Sequence, residues 1–186
     1  MSGSFLLWGL LALAVFWCVG LYNRLMRIRA RGLDALGSVE KHIKAYGACI
    51  QPHLVGVGAH SGSVTATEGD TQLPFAWSQL QLAVESLEAA CKAARNTPLA
   101  IGPMEAFTQC LDAVEQKWAA LRNAPADLAG SAVPGNLMVE WEEATHKVQS
   151  ARGGYNQIVA RYNEAIGQFP ARIIVGTMGF KPAGTL

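Results

Sequence analysis

The sequence predicts an all-α protein in which an N-terminal single-pass transmembrane helix continues into an antiparallel bundle of about four helices. Three observations carry that expectation. Residues 1–23 hold no charged side chain, and residues 5–21 (FLLWGLLALAVFWCVGL) are almost wholly apolar. Beyond them, apolar residues recur at intervals of three and four, the spacing that lines one face of a helix rather than a strand. Stretches rich in Gly, Pro, Ser and Thr interrupt this stepping and read as connections between helices.

The chain has 186 residues, enough for one domain with a real core. Its formal net charge of +1 supplies no overall basic field for nucleic acid and no acidic excess, so partners must be sought in local features.

The first element is the apolar segment. About 20 such residues at 1.5 Å each span a hydrocarbon core, and Trp8 and Trp17 lie toward the segment's ends, where indoles favour the interface. A cleaved signal peptide needs a cationic start and a small-residue cleavage site, and the segment has neither. Arg24, Arg27, Arg29 and Arg31 follow directly, so the positive-inside rule puts the N-terminus outside and the helical domain in the cytoplasm. The same arginines are placed to attract anionic headgroups at about 1 kcal/mol each. They are too few and too close to the membrane to suggest nucleic acid.

Leu36, Val39, Ile43, Tyr46 and Ile50 form one face of a helix that runs from the membrane to about Gln51, where Pro52 is expected to end or kink it. Residues 56–70 (GVGAHSGSVTATEGD) read as a loop, within a glycine-rich connection of about residues 56–75. Trp77, Leu80, Val84, Leu87, Cys91 and Ala94 mark a second helix, and Phe107, Leu111, Val114, Trp118 and Leu121 a third, with Thr97-Pro98 and Gly102-Pro103 between them. Residues 124–136 (APADLAGSAVPGN) read as a second long connection. The last helix has the strongest pattern: Leu137, Trp141, Ala144, Val148, Ala151, Tyr155, Ile158, Tyr162, Ala165 and Phe169 form a seam for a neighbouring helix. The expected division is therefore an anchor over residues 1–23, a bundle over 24–170 and an apolar tail over 171–186 that caps the bundle or rests at the lipid interface.

That last helix carries two Tyr-Asn pairs, Tyr155-Asn156 and Tyr162-Asn163, seven residues apart. Both rings fall on the seam, where a large side chain packs and its hydroxyl finds a partner. A third pair, Tyr22-Asn23, stands at the membrane exit of the first helix, with Tyr22 also an interfacial aromatic. The expectation is that the pairs knit the fourth helix to the first.

Residues 150–182 (SARGGYNQIVARYNEAIGQFPARIIVGTMGFKP) resemble the closing pattern of the LemA family of bacterial membrane proteins. The resemblance rests on Ala151-Arg152, the pairs Tyr155-Asn156 and Tyr162-Asn163, Phe169-Pro170, and the terminal Gly179-Phe180-Lys181-Pro182. Residues 21–44 (LYNRLMRIRARGLDALGSVEKHIK) are similar to the family's Tyr-Asn and arginine-rich segment just after its membrane helix. Where the family usually has Pro-Asn-Leu-Val before a charged helix, this chain has Pro52-His53-Leu54-Val55 and then the glycine-rich stretch, which marks a divergent member. The resemblance implies a single-pass protein of the bacterial inner membrane, N-terminus outside, with an all-helical domain and no established enzyme activity.

The residues offer no catalytic constellation. Cys49, Cys91 and Cys110 are far apart and Cys18 lies in the membrane segment, so neither a zinc site nor a redox pair is signalled. Cys49, His53 and His60 match no zinc spacing, and His42 and His146 sit among charged helical residues. Residues 56–62 (GVGAHSG) lack the glycine spacing and the Lys-Ser/Thr ending of a phosphate loop. Glu140, Glu142 and Glu143 read as the solvated side of a helix. The expectation is a non-catalytic, cofactor-free scaffold or protein-interaction module of the bacterial envelope, self-associating or bound to another membrane protein, with the lipid bilayer as partner and no small-molecule substrate. The alternative is a regulator or subunit of a membrane-bound proteolytic or signalling complex.

Overall fold

The computed structural model describes residues 2–60, 72–124, 133–169, 171–176 and 178–186. It is all-helical: α1 (Ser2–His60), α2 (Gln72–Asn96), α3 (Ile101–Arg122), α4 (Gly135–Gly167) and the short α5 (Ala171–Val175). The first part of α1 is apolar and long enough to cross a membrane, and none of that stretch is buried by the rest of the protein.

Every apolar residue of the predicted faces of α1, α2 and α3 is buried in one core. Neighbouring helices are antiparallel. Along α1 and α2, His53 stacks on Trp77 at 6.1 Å while Arg95 reaches Glu40 at 2.6 Å, so rising numbers on one helix meet falling numbers on the other. Along α1 and α4, Tyr46 meets Trp141 with ring centroids 4.5 Å apart, and Gly32 faces the Ile158 side chain. The ring of four closes where Trp118 of α3 stacks on Trp141 at 4.3 Å. Large indoles bridge a wider helix pair there, and their burial is worth several kcal/mol.

Three expectations need correction. α1 does not end at Gln51 but passes through Pro52 to His60, and α2 begins at Gln72, so the connection is shorter than residues 56–75; residues 61–71 lie outside those described. Proline deprives the Ala48 carbonyl of its donor, but Ala48 and Pro52 are both on the exposed face, where water replaces the bond. Gly102 and Pro103 do not separate helices but fall in the first turn of α3, where a missing N–H is harmless. Phe169 is not a seam residue: α4 ends at Gly167, Gln168 is extended (ψ 141°), the helical phase is lost, and Phe169 is 82% exposed.

α1 and α4 extend together toward the apolar end of α1 beyond the α2–α3 turn, and α2 and α3 do not follow. The tail fills the third side of this two-helix stalk. It builds a second stretch of core from Leu25, Tyr155, Val159, Tyr162, Ile166 and the tail's own Ala171, Val175, Ala183 and Leu186.

Candidate functional site

The Tyr-Asn pairs do not bond α4 to α1; they hold the tail. The Tyr155 hydroxyl donates to the Gly184 carbonyl at 3.2 Å and the Tyr162 hydroxyl to the Lys181 carbonyl at 3.1 Å. Each asparagine makes a two-way bond with one tail residue. Asn156 Nδ2 donates to the Leu186 carbonyl at 2.7 Å, and the Leu186 N–H donates to Asn156 Oδ1 at 2.8 Å. Asn163 does the same with Ala183, at 2.9 and 2.8 Å. An amide side chain carries one acceptor and a donor pair, so it matches the C=O and N–H of an extended residue as a neighbouring strand would.

The heptad spacing of the pairs follows from this geometry. Seven residues of helix rise about 10 Å, and three residues of extended chain cover about the same distance. Asn163 and Asn156 therefore meet Ala183 and Leu186, three apart and running antiparallel to α4, and both of those side chains are buried.

The α2–α3 turn completes the clasp. Leu99 has φ 69°, a left-handed conformation costly for a branched side chain, and its carbonyl accepts the Gly184 N–H at 3.1 Å. A Cβ on residue 184 would lie 3.0 Å from the Ile101 Cα and the Met104 Cβ, so glycine is required by close approach. At the other end of the tail, Gly179 (φ 73°) turns the chain and Phe180 meets Tyr22 edge-on with centroids 5.9 Å apart. Tyr22 thus binds the tail rather than α4, and Asn23 is exposed. Of the remaining motif residues, Arg152 is half-buried, Lys181 and Pro182 are exposed, and Pro170 lies outside the described residues.

Burial sets the titration of these groups. It pushes the Tyr155 hydroxyl up to about 12 and raises that of Tyr162, where nearby Arg29 acts in the opposite sense. Burial likewise pushes the Cys91 thiol up to about 11, and burial followed by Glu140 and Glu143 raises that of Cys49. These thiols are held protonated, the reverse of what nucleophilic attack needs. Among the described residues no group of three or more His, Cys, Asp or Glu is placed to hold a metal ion.

The sequence's basic cluster divides in space. Arg24, Arg27 and Arg31 share one face of α1 with Ile28 and line a furrow of about 340 Å³ against Ile158, Arg161, Glu164, Ala165 and Gln168 of α4. Arg29 lies on the side of Tyr162. Arg161 is the member that sequence reasoning missed, because on α4 it looks like any residue of a solvated face. Next to the furrow is an apolar hollow of about 490 Å³ formed by Phe16, Trp17, Gly20 and Leu21 with Phe169 and Ala171, and the two share Arg24, Ala165 and Gln168. Trp8 is exposed farther along the apolar stretch. The larger hollow between α1 and α2, about 600 Å³, differs in kind: there Glu40 is already paired with Lys44 at 3.1 Å and Arg95 at 2.6 Å. The hydrogen bond from Lys44, then Arg95, holds the Glu40 carboxyl below its usual range.

The family model described as LemA family matches residues 79–186, from within α2 through the end of the tail. That span includes both Tyr-Asn pairs of α4 and everything they clasp, but not the divergent stretch at Pro52-His53-Leu54-Val55 and the glycine-rich residues after it. The similar stretch at residues 21–44 lies outside it. No curated protein and no solved structure matches the chain.

Proposed function

Because this chain belongs to the LemA family, and because that membership and its apolar N-terminal helix fit a membrane-associated helical protein, we propose that it is a non-catalytic scaffold of the bacterial envelope. In this reading it is anchored in the inner membrane by α1, with its N-terminus outside and its helical domain in the cytoplasm, and it works by contact with copies of itself or with a second membrane protein. The observation that carries the reading is where the motif's polar groups go. The hydroxyls and amides of Tyr155, Asn156, Tyr162 and Asn163 are all used on the main chain of the protein's own tail. That investment fixes a shape rather than opening a polar pocket for a substrate.

The test is extraction of the full-length protein in mild detergent, followed by sizing and identification of co-purifying chains. A large particle of this chain alone supports a self-assembled scaffold. A second protein in fixed ratio supports the regulator or subunit reading instead, and a lone monomer that turns over a substrate overturns both.

A further inference from the structure

Among the described residues, the four guanidinium groups around the stalk furrow, those of Arg24, Arg27, Arg31 and Arg161, form no ion pair with an acid. Glu164, the acid that lines the furrow with them, accepts the Gln168 side-chain amide at 2.9 Å. That neutral partner leaves the Glu164 charge in place to offset one of the four; the positive charges in excess favour a further anion in the furrow, and a guanidinium fork suits phosphate oxygens best.

The furrow's position narrows the choice of anion. It opens into the apolar hollow of Phe16, Trp17, Leu21 and Phe169, at the level where α1 leaves its apolar stretch. Phe169 is 82% exposed and Ile173 of α5 is 66% exposed, so this end of the domain presents apolar surface where a bilayer would lie. A free phosphate would satisfy the arginines and leave the hollow beside them unused. A zwitterionic choline lipid would bring a cation to a cationic furrow. We propose that the furrow and the hollow together bind one anionic phospholipid, its phosphodiester held by Arg24, Arg27, Arg31 and Arg161 and an acyl chain lying on Phe16, Trp17 and Phe169. The inference deepens the scaffold reading and rests on its membrane placement; it adds a specific lipid wedged between α1 and α4.

The experiment uses the full-length protein reconstituted with equal phosphatidylglycerol and phosphatidylcholine, re-extracted, washed and analysed for retained lipid by native mass spectrometry. The expected result is retention of phosphatidylglycerol over phosphatidylcholine by about tenfold or more. Arg161→Gln should lose that preference, whereas Arg172→Gln, an equal charge change on exposed α5 outside the furrow, should keep it. Phe169→Ala should reduce retained lipid while leaving weak binding of inorganic phosphate unchanged. Equal retention of the two lipids, equal damage from Arg172→Gln and Arg161→Gln, or displacement of the lipid by inorganic phosphate would each overturn the proposal. Unchanged melting temperatures establish that the variants fold. Particle size in the same preparation judges the scaffold reading separately: an intact particle without lipid preference removes only the site, and a partnerless monomer that keeps its lipid removes only the scaffold.

Discussion

Asn163 and Ala183 exchange two hydrogen bonds, the amide Nδ2 donating to the carbonyl at 2.9 Å and the main-chain N–H donating to Oδ1 at 2.8 Å. A side chain here takes the place of a β-strand partner, and its loss should release the tail. Asn163→Ala should cost about 1–2 kcal/mol and Asn156→Ala about the same. Asn163→Asp keeps the acceptor but turns a second carboxylate oxygen toward the Ala183 carbonyl, and at neutral pH should cost at least as much as alanine. Hydrogen exchange at the Ala183 and Leu186 amides measures this: equal protection in the wild type and Asn163→Ala would mean the clasp contributes nothing.

Glycine at 184 is tested by adding one carbon. In Gly184→Ala the new methyl would lie 3.0 Å from the backbone at Ile101, which cannot yield as a flexible side chain would. The tail should lift from the α2–α3 turn at a cost of about 1–3 kcal/mol. Limited proteolysis should then cut within residues 178–186 faster than in the wild type, while cleavage elsewhere stays the same.

Alkaline stability should depend on the buried tyrosines. An unfolded tyrosine ionises near pH 10, whereas Tyr155 in the fold holds its proton to about 12. Below pH 10 both states are protonated and the contribution is whole. Between pH 10 and 12 only the unfolded chain loses the proton, so stability falls as pH rises. Tyr155→Phe should flatten the pH dependence of the melting temperature in that window, and an unchanged slope would refute the assignment.

The indole stack is the costliest place to cut the bundle. Trp141 touches both Tyr46 and Trp118 and is 3% exposed, so Trp141→Ala should destabilise by about 3–5 kcal/mol. Denaturant titration followed by circular dichroism gives the value; a loss below about 1 kcal/mol would mean that the α3–α4 contact is peripheral.

Cysteine modification offers a check without mutation. With its thiol near 11 and 2% exposed, Cys91 should resist alkylation at neutral pH until the protein unfolds. Rapid labelling of Cys91 in the native protein would show that α2 opens readily.

Much of the bundle was legible because burial there follows helical spacing. Ile43, Leu80 and Phe107 each sit where the three-four stepping puts them, and each is buried. On α4 the stepping also placed Tyr155, Tyr162 and Ala165 correctly, but in the stalk Val159 is buried where Ile158 was expected, and Ile166 is buried as well. An ideal helix turns a little less per residue than a strict heptad assumes, and here one helix must face both α1 and the tail. The clasp was illegible for a different reason. Tyr155 and Asn156 bond main-chain groups of Gly184 and Leu186, and a backbone carbonyl looks alike under every side chain. The furrow was half legible: Arg24, Arg27 and Arg31 announce themselves as a cluster, but only the antiparallel pairing brings Arg161 to them.

The unbroken course of α1 has a mechanical meaning. From the last apolar residues to His60 is one continuous helix with no joint at the membrane exit, and from residue 23 to residue 60 it is about 55 Å long. A membrane helix changes its tilt to match the thickness of its bilayer. With a rigid arm of that length, a tilt of about 10° carries the far end of the bundle through about 10 Å. With the apolar stretch of α1 seated in a bilayer, the surrounding lipid would set where the bundle's far end points, and a change of bilayer thickness would become a change of aim.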